Sequence, residues 1–359
     1  MTPRERVARW LDGHNARVAW FARPNNFAWL TGGDNRVSKA ASVGAAAAGY
    51  DGETLTVVTD DIEAERLREE ELPPGTEVET FPWYESSLGE AVAEATVEPA
   101  VADFDAPGIG HVDATDLRQP LHVDAIDTYR SLSRDVVEAV EPVLREATAT
   151  DTEREVAARL QHALTEREIT TPVVLVGSDE RARRYRHYTV QDEPLGDYAL
   201  VSVTSEREGL YTSLTRTVAF DAPDWLADRT AAANRVETTA LAATQAVGRE
   251  AGTASAVFAA IQDAYAEVEH DGEWKRHHQG GAAGYAGREW FGTPDGDARV
   301  ELPMGYAWNP TVQGAKSEGT ALVSGEEIEL LTEPDDWPTR EVEAVGYDLA
   351  LERPAVLHL

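Results

Sequence analysis

Three stretches decide how this chain folds: VSVTSEREGLYTSLTRTV (Val201–Val218), HHQGGAAGYAG (His277–Gly287) and YAWNPTVQGAKSEGTALV (Tyr306–Val323). Alternating apolar residues in and around the first predict strands at Ala199–Thr204 and Leu210–Ala219. The second is rich in small residues, and Gly280, Gly281, Ala282, Ala283 and Gly284 let backbone or ligand approach closely. It has neither the spacing of a P-loop nor the strand-to-helix opening of a dinucleotide fingerprint. The third predicts strands at Trp308–Thr311 and Thr320–Val323, with Lys316 and Glu318 two residues apart on one face.

In order, spacing and flanking residues these stretches resemble the creatinase and methionine-aminopeptidase family, which includes Xaa-Pro aminopeptidases and dipeptidases and has the "pita-bread" fold. The resemblance implies a pair of divalent metals held by two aspartates eleven positions apart, one histidine and two glutamates. Thr215, Arg216 and Thr217 set the frame, which puts the two aspartate positions at Ser213 and Ser202. His277, Gly280 and Gly284 match the histidine segment, whose ligand position falls on Gly281. Asn309-Pro310 stands where a glutamate precedes a proline, and Glu318, within KSEG, matches the final glutamate.

Two divalent cations about 3.5 to 4 Å apart need several anionic oxygens to offset their repulsion, and such ions prefer carboxylate and imidazole ligands. Two serines, a glycine, an asparagine and one glutamate do not supply them, so no metal is expected. A slipped register would restore two divalent metals, but Glu206 and Glu208 do not recover the eleven-residue spacing. His278, three residues before the ligand position, is expected to point elsewhere.

The resemblance also implies that His187, in RHYTV, and His277 contact substrate, with His277 stabilising the reacting carbonyl. Lys316 stands where peptidases often carry arginine, and Arg288 where another substrate histidine is usual; both point to changed substrate or chemistry. The chain has three lysines among its 32 basic residues, so a lysine beside the surviving glutamate stands out. It reads either as a structural ion pair with Glu318 or as a cation that polarises a substrate carbonyl or holds a carboxylate. The expected site is therefore His187, His277 and Glu318 as catalytic groups, with Lys316, Arg288, Asn309, Ser202 and Ser213 around the substrate.

Composition sets the surroundings. With 65 acidic against 32 basic residues the formal net charge is −33, spread along the chain as a solvated surface. Such acidity with little lysine suits a high-salt cytoplasm, where screening suppresses self-repulsion, and an extreme halophile is the expected source. A basic footprint for nucleic acid is absent. The chain has no cysteine, which excludes disulfides and thiol chemistry. No apolar run of about 18 residues occurs, and MTPRERVARWLDG reads as a polar helical start. A cytoplasmic protein without membrane partners is expected.

The character of the chain changes near residue 128. Residues 1–128 predict a smaller α/β domain: a helix at Pro3–Gly13, alternating apolar runs at Val18–Phe21 and Phe27–Leu30, strands at Leu55–Val58 and Ala100–Asp103, and a charged helix at Asp61–Glu71. PNNFAWLTGGDNR resembles a segment of the N-terminal domain of Xaa-Pro peptidases and creatinase. Residues 129–359 predict long helices at Tyr129–Ala147, at Thr152–Arg167 with a Thr152/Glu155 capping box, from Pro223 to Arg249, and at Thr253–Glu267. Strands at Val173–Val176 and Ile328–Leu331 complete an α+β unit of the pita-bread type.

Three functions fit this reading. One is a metal-independent hydrolase that cleaves a C–N bond of a small amino-acid, peptide-like or amidino substrate, as creatinase does in the resembled family. Another is a conventional Xaa-Pro aminopeptidase or dipeptidase with two metals. The third is a non-catalytic ligand-binding protein. The resemblance further implies a homodimer.

Overall fold

The computed structural model describes Met1–Leu359, and the chain divides between His122 and Val123 into two units. The long helix of the second unit begins six residues before its expected start, at Val123, and runs to Arg145.

Met1–His122 is built on a six-stranded sheet. All four residues of the strand Val18–Phe21 are buried, because it lies inside the sheet, antiparallel to Ala46–Tyr50 and parallel to Ala100–Ala102. Leu55–Asp60 and Glu77–Phe81 extend one side and Gly110–His111 the other. The helix Pro3–His14 opens with a capping box between Thr2 and Glu5. Phe27–Leu30, whose alternation suggested an extended run, lies in the helix Pro24–Thr31. Residues 26 to 31 are all buried there, and a short helix apolar on every side reads in sequence like a strand.

In Val123–Leu359 the helix Glu153–Thr165 carries the expected Thr152/Glu155 capping box. A four-stranded sheet runs in the order Leu357–His358, Leu210–Ala219, Tyr198–Arg207, Thr170–Ser178. Its register pairs Ser202 with Thr215 and Thr204 with Ser213. These four hydroxyl residues therefore share one face. A second sheet, of five strands, runs Trp290–Phe291, Gly280–Ala283, Met304–Trp308, Ala321–Val323, Ile328–Leu330. The strand expected at Trp308–Thr311 ends at Trp308, since Pro310 brings no N–H to a ladder. The helix expected from Pro223 begins at Leu226, and the Pro223 carbonyl instead accepts the Leu226 N–H in a preceding turn.

Several bonds tie the strand Leu210–Ala219 to segments flanking the second sheet. The Thr215 N–H donates to the Glu318 carbonyl at 2.9 Å and the Tyr211 N–H to the Gly284 carbonyl at 2.8 Å, while the Ser213 N–H donates to Thr320 Oγ1 at 2.8 Å. Arg216 is 1% exposed and donates to Glu141 and to the Thr332 carbonyl. The Thr-Arg-Thr segment thus joins the sheet to the Val123–Arg145 helix, which carries Glu141. No helix is long and apolar enough to cross a membrane.

Candidate functional site

The hydroxyl face of the paired strands looks onto the segment around Asn309 to Glu318, and the polar groups of both meet at one carboxylate. Glu318 is buried, with Oε2 2.7 Å from Lys316 Nζ and Oε1 3.0 Å from Arg288 Nη2. Thr215 Oγ1 donates to Oε2 at 3.0 Å, and Asn309 Nδ2 reaches Oε1 at 3.5 Å. Lys316 Nζ also donates to Ser202 Oγ at 3.2 Å, and Ser202 shares bonds with Thr215 and the Tyr188 hydroxyl. Two cations therefore share one carboxylate. Burial alone would raise the Glu318 pKa, but Lys316 and Arg288 outweigh it and hold it down at about 2.

Ser213 faces the same space one rung along, with its hydroxyl on Thr204 at 3.0 Å. A cavity of about 10 Å³ lies behind Lys316 and Glu318, space for a single water. Three buried polar atoms at the site have no partner: Arg288 Nε, Asn309 Oδ1 and His277 Nδ1.

His187 and His277 form a second group, with Nε2 atoms 3.1 Å apart. Burial, then the positive charge of Lys316, lowers both pKa values, and that of His277 falls to about 2. Both imidazoles are thus neutral near pH 7. His278 does not point away as expected. Its ring stacks on His277 at 4.2 Å and lies 5.4 Å from that of His187. Residues 277 to 279 precede the strand Gly280–Ala283, so the strict alternation of a strand does not apply to them.

Gly281 sits between two strands, opposite Phe291 and Ala307. A Cβ there would lie 2.0 Å from the Trp290 carbonyl oxygen. No side chain fits at this position unless the neighbouring strand shifts.

The model of metallopeptidase family M24 matches residues 125–320, more than half of the chain. The chain belongs to metallopeptidase family M24. Solved structures show the same pita-bread fold preceded by a smaller N-terminal domain. The prolidase from Pyrococcus furiosus is 16% identical with a TM-score of 0.74, over 91% of this chain and 99% of that one. The X-Pro aminopeptidase from Thermotoga maritima is 13% identical with a TM-score of 0.75, over 100% of both chains. The dipeptidase PepE from Mycobacterium ulcerans is 18% identical with a TM-score of 0.74, over 99% and 97%. At such identities the likeness is one of fold. No curated protein matches the chain.

Within this M24 fold Ser202, Arg288, Asn309, Lys316 and Glu318 form one bonded cluster, His187 and His277 form a pair, and Ser213 lines the wall. Sequence reasoning missed Tyr188 and Thr215 as members of the cluster. Both adjoin residues already singled out, Tyr188 next to His187 and Thr215 at the head of Thr-Arg-Thr. A hydroxyl at those places was the only available signal.

Proposed function

We propose that this M24 chain is a metal-independent hydrolase of a C–N bond in a small amino-acid, peptide-like or amidino substrate. The observation that carries the reading is the buried Lys316–Glu318 pair at 2.7 Å, reinforced by Arg288. Paired divalent ions do not fit this donor set. The single carboxylate is taken up by two cations, Ser202 by an ammonium, and Gly281 has no room for a side chain. Fixed positive charge stands in their place, and it can polarise a carbonyl or hold a substrate carboxylate.

The chemistry would then rest on imidazole. One of the neutral pair His187 and His277 takes a proton from a water as its oxygen adds to the carbonyl or amidino carbon. The C–N bond breaks and the same proton passes to the leaving nitrogen. The unpartnered Arg288 Nε and Asn309 Oδ1 supply a donor and an acceptor for orienting substrate.

The test is hydrolysis of Xaa-Pro dipeptides, N-acyl amino acids and amidino compounds in high salt, with chelator or with added manganese. The expected result is turnover that survives chelation and is lost in His277→Ala. Cleavage that requires about two metals per chain would overturn the reading. Binding without turnover would favour a non-catalytic ligand protein.

A further inference from the structure

The inherited metal positions carry poor ligands, yet a different set of good ones has gathered beside them. His187, His277 and His278 each offer one ring nitrogen, and the three nitrogens lie within 4.8 Å of one another. Imidazole nitrogens bound tetrahedrally to zinc at about 2.05 Å stand about 3.3 Å apart. The Nε2 atoms of His187 and His277, 3.1 Å apart, are already close to that separation. A shift of about 1.5 Å by the remaining nitrogen would complete a tripod.

The burial pattern suits such a shift. His277 is 8% exposed and serves as the fixed ligand, whereas His187 and His278 are exposed and each already lies against it. His278 also packs edge-to-face with Phe291, with ring centres 5.0 Å apart. His277 Nδ1 makes no hydrogen bond, so it can hold the ring proton and leave the Nε2 lone pair to an ion once the Nε2–Nε2 bond to His187 is given up. Because two ligands face solvent, a fourth position would remain open to water.

We propose that His187, His277 and His278 bind one divalent transition ion of the zinc type, through a donor set distinct from that around Glu318. The chemistry of the ligands selects among ions. Three imidazoles suit zinc, cobalt, nickel or copper, and the absence of a free carboxylate excludes magnesium and calcium. Lys316 and Arg288 nearby repel a cation, and Glu318 offsets only one of their two charges. The ion is therefore held by inner-sphere bonds to nitrogen rather than by field. The proposal does not rest on hydrolysis. Where the hydrolase reading also holds, a bound ion removes the lone pairs of His187 and His277 from proton transfer and inhibits.

The experiment uses the full chain in high salt, stripped with chelator and then dialysed against Co²⁺. The expected outcome is one Co²⁺ per chain with the visible absorption of a tetrahedral site. Affinity should fall more than about tenfold in His278→Ala, a loss at least as large as outer-shell changes produce, and fall by less in Glu318→Gln, which keeps all three nitrogen ligands and removes only the offsetting charge. Cu²⁺ bound to the wild-type protein gives a readout free of any folding defect, since nitrogen hyperfine structure in its paramagnetic resonance spectrum reports imidazole ligands. No retained ion, oxygen-only ligation, or binding lost in Glu318→Gln but kept in His278→Ala would each overturn the proposal. If cobalt activates hydrolysis instead of inhibiting it, the metal-independent reading fails and the three-histidine site stands.

Discussion

Removing Glu318 should damage the fold more than removing Lys316, although the two form one ion pair. At 2.7 Å the pair's gross attraction is about 6 kcal/mol at an effective dielectric constant of about 20. Most of that is offset by the cost of taking both groups out of water, for their side chains are each 5% exposed. What decides the outcome is what each change leaves behind. Lys316→Met leaves Glu318 with Arg288 at 3.0 Å and the Thr215 hydroxyl, a balanced pair, and the expected loss is about 1.5 kcal/mol. Glu318→Gln leaves two buried cations with no counter-charge, and the expected loss is about 4 kcal/mol. For a unit of this size these correspond to falls in Tm of about 3 to 6 °C and about 8 to 16 °C. The assay is thermal unfolding followed by tryptophan fluorescence at one fixed high salt concentration, with urea unfolding as a check. Equal losses, or a larger one for Lys316→Met, would show that Glu318 is not the hub of the cluster.

Acid should act in two windows. A histidine whose pKa is depressed by folding contributes stability that is present above its ordinary value of 6.5 and lost as pH falls, so His277 should begin to lower the urea midpoint below about pH 6.5. His277→Asn should flatten that part of the profile; an unchanged slope would contradict it. Glu318, held at about 2 against an ordinary 4.5, contributes roughly 3 kcal/mol that disappears as pH falls from 4.5 through 2, and Glu318→Gln should erase this second step. Placing an imidazole there with Gly281→His should cost about 2 kcal/mol or more, because even its Cβ meets the Trp290 carbonyl oxygen at 2.0 Å; a variant as stable as the parent would refute this steric argument. With a net charge of −33 the protein should lose stability as KCl is lowered, since self-repulsion is then unscreened; a melting temperature independent of salt would remove the halophilic expectation.

Where the sequence reading succeeded, the signal was local. The strand Leu210–Ala219 follows the predicted bounds, and the Thr152/Glu155 capping box lies where the spacing put it, since alternation and capping depend on neighbours a few residues apart. Pro24–Thr31 was misread because burial on every side hides helical period. His278 was misplaced because the rule of alternation was carried two residues beyond the strand that obeys it.

The motifs by themselves determined the family and the order of elements, because each is written in spacing along the chain. Only the tertiary structure decided that Arg288 and Lys316 converge on opposite oxygens of Glu318, that Trp290 closes over Gly281, and that three imidazoles meet at one point. His187 and His277 touch at 3.1 Å across 90 residues of chain. No periodicity reaches over that distance; strand register and sheet packing set it.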